Sequence, residues 1–146
     1  MECGTVSFLP PSTLPCLAVV DDDRDLLDLM LLALEDCGWD CLPIATSAGA
    51  CDLLAAAVPD AVLLDLHLES RNQGMDLVRQ LGDRPETAGI PVILWTADAR
   101  FLDEKEAWLR DRGIQVLAKP FDIDELAALL DTLTPQVLAP GITPTP

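Results

Sequence analysis

The feature that most limits what this chain can become is an alternation of five short apolar runs with stretches of helical spacing. The runs are Cys16-Leu17-Ala18-Val19-Val20, Trp39 to Ala45, Ala61-Val62-Leu63-Leu64, Val92-Ile93-Leu94-Trp95 and Ile114 to Ala118. Four are nearly continuous in apolar residues, which predicts strands buried on both faces of a parallel sheet. The second alternates more and contains Pro43, which suits an edge strand. Between the runs, Leu27, Met30, Leu31 and Leu34 repeat at i, i+3, i+4, i+7, and Gly38 stands where a helix end wants a left-handed residue. Ser47 can cap a second helix with Ala48, Cys51, Leu54, Ala55 and Val58 facing inward. Leu77, Val78 and Leu81 mark a third. The fourth, around 103–112, is polar apart from Ala107, Trp108 and Leu109, and Gly113 ends it. The fifth opens on a capping-box-like Asp122 and Glu125 and carries Leu126, Leu129, Leu130 and Leu133.

Five β-α units imply an α/β fold with right-handed crossovers. At this size the expected form is a doubly wound five-stranded parallel sheet, flavodoxin-like in order 2-1-3-4-5, with five helices. Residues 1–15 carry Pro10, Pro11 and Pro15 and read as a flexible arm, 16–134 as the domain, and 135–146 as a Pro-rich tail or linker. The chain of 146 residues fits one domain, and 50% hydrophobic residues are enough for a sizeable core. With 25 acidic against 9 basic residues the formal charge is −16. Sequence-independent nucleic-acid binding and a polybasic membrane anchor both need the opposite sign. Five cysteines (Cys3, Cys16, Cys37, Cys41 and Cys51), no Cys-x-x-Cys and one His argue against zinc and for free thiols in a reducing compartment. The N-terminus lacks a charged n-region with an apolar h-region, and no apolar stretch reaches membrane-spanning length, so a cytoplasmic protein is expected.

A doubly wound sheet binds ligands at the carboxyl ends of its strands. Strand 1 runs into Asp21-Asp22-Asp23, strand 3 into Asp65, strand 4 into Thr96-Ala97 and strand 5 into Lys119-Pro120. Each residue alone has an ordinary explanation: Asp21 to Asp23 can cap a helix, Asp65 a turn, and Thr96 and Lys119 can be plain strand-end residues. Four such accidents at one edge are a poor account of the set. Carboxylates held close together repel unless a cation intervenes. Mg²⁺ takes one or two carboxylates, waters and a phosphate oxygen. Lys119 and the Thr96 hydroxyl can hold phosphoryl oxygens, and an Asp can itself be the nucleophile.

In these segments the sequence resembles the receiver domain of two-component response regulators. The matching stretches are Leu17 to Asp23, Ala61 to Leu66, Val92 to Ala97 and Val116-Leu117-Ala118-Lys119-Pro120-Phe121, over about residues 16–134. The resemblance implies that Asp65 takes a phosphoryl group from a sensor histidine kinase or histidine phosphotransfer protein. It implies Mg²⁺ held by Asp22 directly, by Asp21 mainly through water, by Asp65, and by the backbone carbonyl of His67. Thr96 and Lys119 then contact the phosphoryl oxygens, and the Lys119-Pro120 bond is cis. The implied protein is a switch with self-catalysed phosphorylation and dephosphorylation, not a turnover enzyme. It would touch no nucleic acid or membrane directly, and the family allows a homodimer through the face of the fourth helix, fifth strand and fifth helix.

Three departures accompany the match. The family's Pro four residues after the phosphoacceptor is Glu69, and the family's Gly eight residues on comes here one residue late, as Gly74, after a polar Glu69–Gln73 loop. The usual aromatic switch position is Val116, which cannot rotate inward as a ring does; Trp95 or Trp108 could substitute, though plain packing explains each. His67 is the only His, placed to meet water or a partner or to have no side-chain role. Two rival readings follow from the residues. A haloacid-dehalogenase-type phosphatase would use Asp21-x-Asp23, but Asp25 stands where Thr or Val is expected, and Asp65 would be idle. A phosphorylation-independent scaffold fits Val116 but leaves the full acidic set unexplained.

Overall fold

The computed structural model describes residues 14–66, 71–118 and 123–133. Along the chain run β1 (Cys16–Val20), α1 (Arg24–Asp36), β2 (Asp40–Ile44), α2 (Ala50–Ala57), β3 (Ala61–Asp65) and α3 (Arg71–Asp83). A short α4 (Pro85–Ala88), β4 (Val92–Thr96), α5 (Ala99–Asp111), β5 (Gln115–Ala118) and α6 (Ile123–Leu133) follow. The strands form one parallel sheet in the order β2-β1-β3-β4-β5, as the alternation predicts.

The two-residue period of a strand sends successive side chains to opposite faces. Ala18, Val20, Val62, Leu64 and Leu94 pack under α2, α3 and α5 with Leu54, Leu77, Leu81, Phe101 and Leu109. Leu17, Val19, Leu63, Ile93, Trp95 and Leu117 pack under α1 and α6 with Leu27, Met30, Leu34, Leu126 and Leu130. Each face thus has its own core, which is why β1 and β3 read as unbroken apolar runs.

Several expectations need correction. The described residues hold six helices rather than five: Pro85–Ala88 has four residues and shows no apolar period, and the buried Thr87 anchors it by donating from its hydroxyl to the Leu81 carbonyl at 2.7 Å. The fifth strand is not buried on both faces. It ends the sheet, and three of its four residues are exposed. The second helix starts at Ala50 behind a left-handed Gly49 rather than a Ser47 cap. Val58 does not face inward; it is exposed in a left-handed conformation (φ 48°) that closes α2. Leu31 lies at the rim of its apolar stripe and is exposed. The fourth predicted helix begins earlier, at Ala99, because Asp98 accepts from the Phe101 N–H at 3.0 Å as its cap; Phe101 and Leu109 face inward, and Ala107 does not. Gly38 does take the left-handed conformation, at φ 82°. The Asp122 half of the predicted capping box lies outside the described residues.

Candidate functional site

The parallel register places the ends of β1, β3 and β4 side by side. Val20 pairs with Leu64, Asp65 with Trp95, and Thr96 with Ala118. The first residues past β1 therefore meet the last residue of β3. Asp21, Asp22 and Asp65 each offer a carboxylate oxygen, and these oxygens lie within 4.8 Å of one another.

Their surroundings differ. Asp21 and Asp65 are buried, at 1% and 5% exposure, while Asp22 is open to solvent. The Asp23 N–H donates to Asp21 Oδ1 at 2.9 Å, holding that carboxylate toward the site. Asp23 itself caps α1, its Oδ1 accepting from the N–H groups of Asp25 and Leu26. The acidic triplet therefore divides its work, with two members in the cluster and the third starting the helix that follows.

A set of three carboxylates with hard oxygen donors, one facing water, fits Mg²⁺ far better than a soft or nitrogen-seeking metal. Packing such anions behind a buried rim is costly without a cation or protons between them.

Thr96 ends β4 fully buried. Its Oγ1 accepts from the Asp98 N–H at 3.0 Å, which leaves the hydroxyl proton able to donate elsewhere. Lys119 follows Ala118, the strand partner of Thr96. Lys119, Pro120 and His67 lie outside the described residues. Val116 pairs with Leu94 and is 36% exposed, on the open side of the sheet edge. Trp95 is buried and pairs with Asp65, on the face covered by α1 and α6. Trp108 sits away from the acids, with the Arg112 guanidinium 4.1 Å from its ring centre.

Sequence reasoning missed one feature of this site. Gly74, which is out of step with the family spacing, lies against the chain directly after Asp65. A Cβ on Gly74 would fall within clash distance of the Leu66 carbonyl oxygen, 2.8 Å from the Leu66 carbonyl carbon and 3.1 Å from the Asp65 carbonyl oxygen. The signal available in the sequence was a glycine inside a helical pattern, where glycine weakens the helix and so calls for a reason.

Comparison with known proteins gives a consistent set. Residues 17–131 match the model of the response regulator receiver domain. The DNA-binding transcriptional regulator NtrC of Escherichia coli K12 is 33% identical over 113 residues, covering 77% of this chain and 23% of NtrC. The probable transcriptional regulatory protein TcrX of Mycobacterium tuberculosis is 36% identical over 119 residues, covering 79% of this chain and 47% of TcrX. The chain thus spans less than half the length of either relative. Among solved structures, the receiver domain of the Pseudomonas aeruginosa sensor histidine kinase PA1611, described with a magnesium ion coordinated in its active-site cleft, superposes with a TM-score of 0.69. Its sequence identity is 23%, over 82% of this chain and 96% of that one.

Proposed function

Because the chain belongs to the family of response regulator receiver domains of two-component signalling, we propose that Asp65 is its phosphoacceptor. The observation that carries this is the meeting of Asp65 with Asp21 and Asp22 at the end of the central strands. The other readings leave one of these acids without work: a phosphatase built on Asp21-x-Asp23 would not use Asp65, and Asp23 is already engaged as a helix cap.

Asp21, Asp22 and Asp65 would hold Mg²⁺, with the His67 carbonyl as a further ligand. When bound, the ion screens the carboxylates and draws charge from the phosphoryl oxygens. An Asp65 carboxylate oxygen attacks the phosphorus of a phosphohistidine, the N–P bond breaks as the O–P bond forms, and the leaving imidazole takes up a proton. The Thr96 hydroxyl donates to one phosphoryl oxygen and the Lys119 ammonium neutralises another. Water attack on the acyl phosphate returns the carboxylate, so the protein resets itself and is a switch with self-catalysed steps.

The donor is a histidine kinase or histidine phosphotransfer protein. The phosphorylated form shifts a two-state equilibrium whose output lies with a partner. Direct DNA contact by this segment is disfavoured by its charge of −16, whatever the full-length relatives do. A homodimer through α5, β5 and α6 is the arrangement that the exposed β5 edge leaves open. Among the described residues no helix is long and apolar enough to cross a membrane, and a cytoplasmic setting fits the partner.

The test is phosphoryl transfer from a labelled donor in Mg²⁺. Wild type takes up one base-labile phosphoryl group, and chelation stops the reaction. Folded Asp65→Asn shows only background labelling. Labelling of that variant at the wild-type rate would remove Asp65 from the role.

A further inference from the structure

Helix α3 contains two glycines in very different settings. Gly82 has no atom within 4 Å of where a Cβ would stand, so alanine would fit there and strengthen the helix. Gly74 has no such room, since the same atom would overlap the Leu66 carbonyl and press on that of Asp65. Both glycines cost helix stability, and only one is explained by its neighbours.

The contact falls on a stretch of chain that cannot easily yield. The Leu66 N–H donates to the Trp95 carbonyl at 3.0 Å, tying it to β4 on one side. Its side chain is fully buried. On the other side α3 is held to the core by Met75, Leu77, Val78 and Leu81, all buried. The chain leaving β3 is therefore clamped between a strand and a helix. The peptide that follows Leu66 leads to residue 67, and Asp65 immediately precedes it.

We propose that Gly74 is a positioning residue for the metal and phosphoryl site. Its bare Cα lets α3 close onto the Asp65–Leu66 backbone and so fixes where the Asp65 carboxylate stands. This rests on the reading of Asp65 given above. A methyl group at 74 finds both sides held, so it must force α3 and the Leu66 peptide apart, and the Asp65 carboxylate moves with the strained chain. Residues that orient metal ligands from behind typically change affinity by about tenfold to a hundredfold when altered.

The experiment compares Gly74→Ala with Gly82→Ala, using Mg²⁺ titration followed by tryptophan fluorescence and hydrogen exchange of the Leu66 amide in metal-free protein. Gly74→Ala is expected to weaken Mg²⁺ binding by about tenfold or more and to speed Leu66 exchange. Gly82→Ala should leave both unchanged. Equal Mg²⁺ binding by Gly74→Ala and wild type overturns the proposal, as does an equal loss in Gly82→Ala. If Gly74→Ala is poorly folded, it is remade with Gly82→Ala and Val58→Gly as stabilising changes. Failure to fold there also overturns the proposal, because Gly74 would then serve the fold and not the site. A wild-type protein that binds no Mg²⁺ and takes no phosphoryl group defeats the underlying assignment instead, and is told apart by the wild-type titration alone.

Discussion

The centre and the margins of the sheet are built to different standards. Every residue of β3 is buried, and so are the last four of β1. At the margins only Ile44 of β2 and Leu117 of β5 are buried. The acids sit on the central pair, where neighbouring strands and two layers of helix leave the backbone no freedom. Of the positions at which this chain departs from its family, Val116 sits at the exposed sheet edge, and residues 71–73 of the expected polar loop are instead the opening residues of α3. A site that must place three carboxylates within 4.8 Å needs rigid supports. A surface that partners read tolerates change more easily, because its side chains are already half in water.

That contrast is first broken or sharpened by truncation. Leu64 is fully buried in β3, next to Asp65. Leu64→Ala removes buried methyl groups and leaves a cavity, at a cost of about 2–5 kcal/mol. Val116→Ala, at the exposed edge, should cost under about 0.5 kcal/mol, as surface changes do. Urea denaturation measures both. Equal losses would mean that the centre is no stiffer than the edge.

A smaller effect separates positioning from capping on β4's side of the site. Asp98 caps α5 through its carboxylate and steadies Thr96 through its backbone N–H. Asp98→Ala removes only the first, so stability should drop by about 1 kcal/mol. Phosphoryl uptake should stay near wild type, because the N–H that meets Thr96 remains. A severalfold fall in labelling rate in the folded variant would show that the side chain matters to the chemistry.

The same contrast explains what could be read in advance. Strand order and the identity of the acidic cluster were legible because buried parallel strands leave a continuous apolar signal, and because chain order fixes which ends meet. Asp21, Asp22 and Asp65 met as expected, and Gly38 closed its helix. Legibility failed where local signals are short or shared. Pro85–Ala88 is one turn, too brief to show a period. Val58 completes an apolar stripe on paper, yet it stands one residue past α2, where the chain must turn left-handed before Pro59. A β-branched residue is strained there, so Val58→Gly should gain stability of about 1 kcal/mol, seen as a raised thermal midpoint. Gly74 showed only as a spacing departure and as a glycine in a helical stretch, since a close approach between backbones leaves no trace in the sequence beyond the missing side chain.

The least of these effects tests the margin opposite Val116. Cys41 lies on β2 and is half-buried, and burial followed by the nearby Cys16 thiol raises its pKa from 9.0 to about 11. A thiol is neutral when protonated, so burial penalises the thiolate and the folded state keeps the proton longer. Below pH 9 both states hold it, and stability does not depend on this group. Between pH 9 and about 11 the unfolded chain releases the proton while the folded chain retains it, so stability falls as pH rises across that window. Cys41→Val cannot ionise and should flatten the decline, measured as the difference in thermal midpoint between variant and wild type from pH 8 to pH 11. Solvent at the sheet edge screens the penalty, which keeps the difference small. Parallel curves for the two proteins would mean that β2 is as open as β5, and the two margins would then be alike.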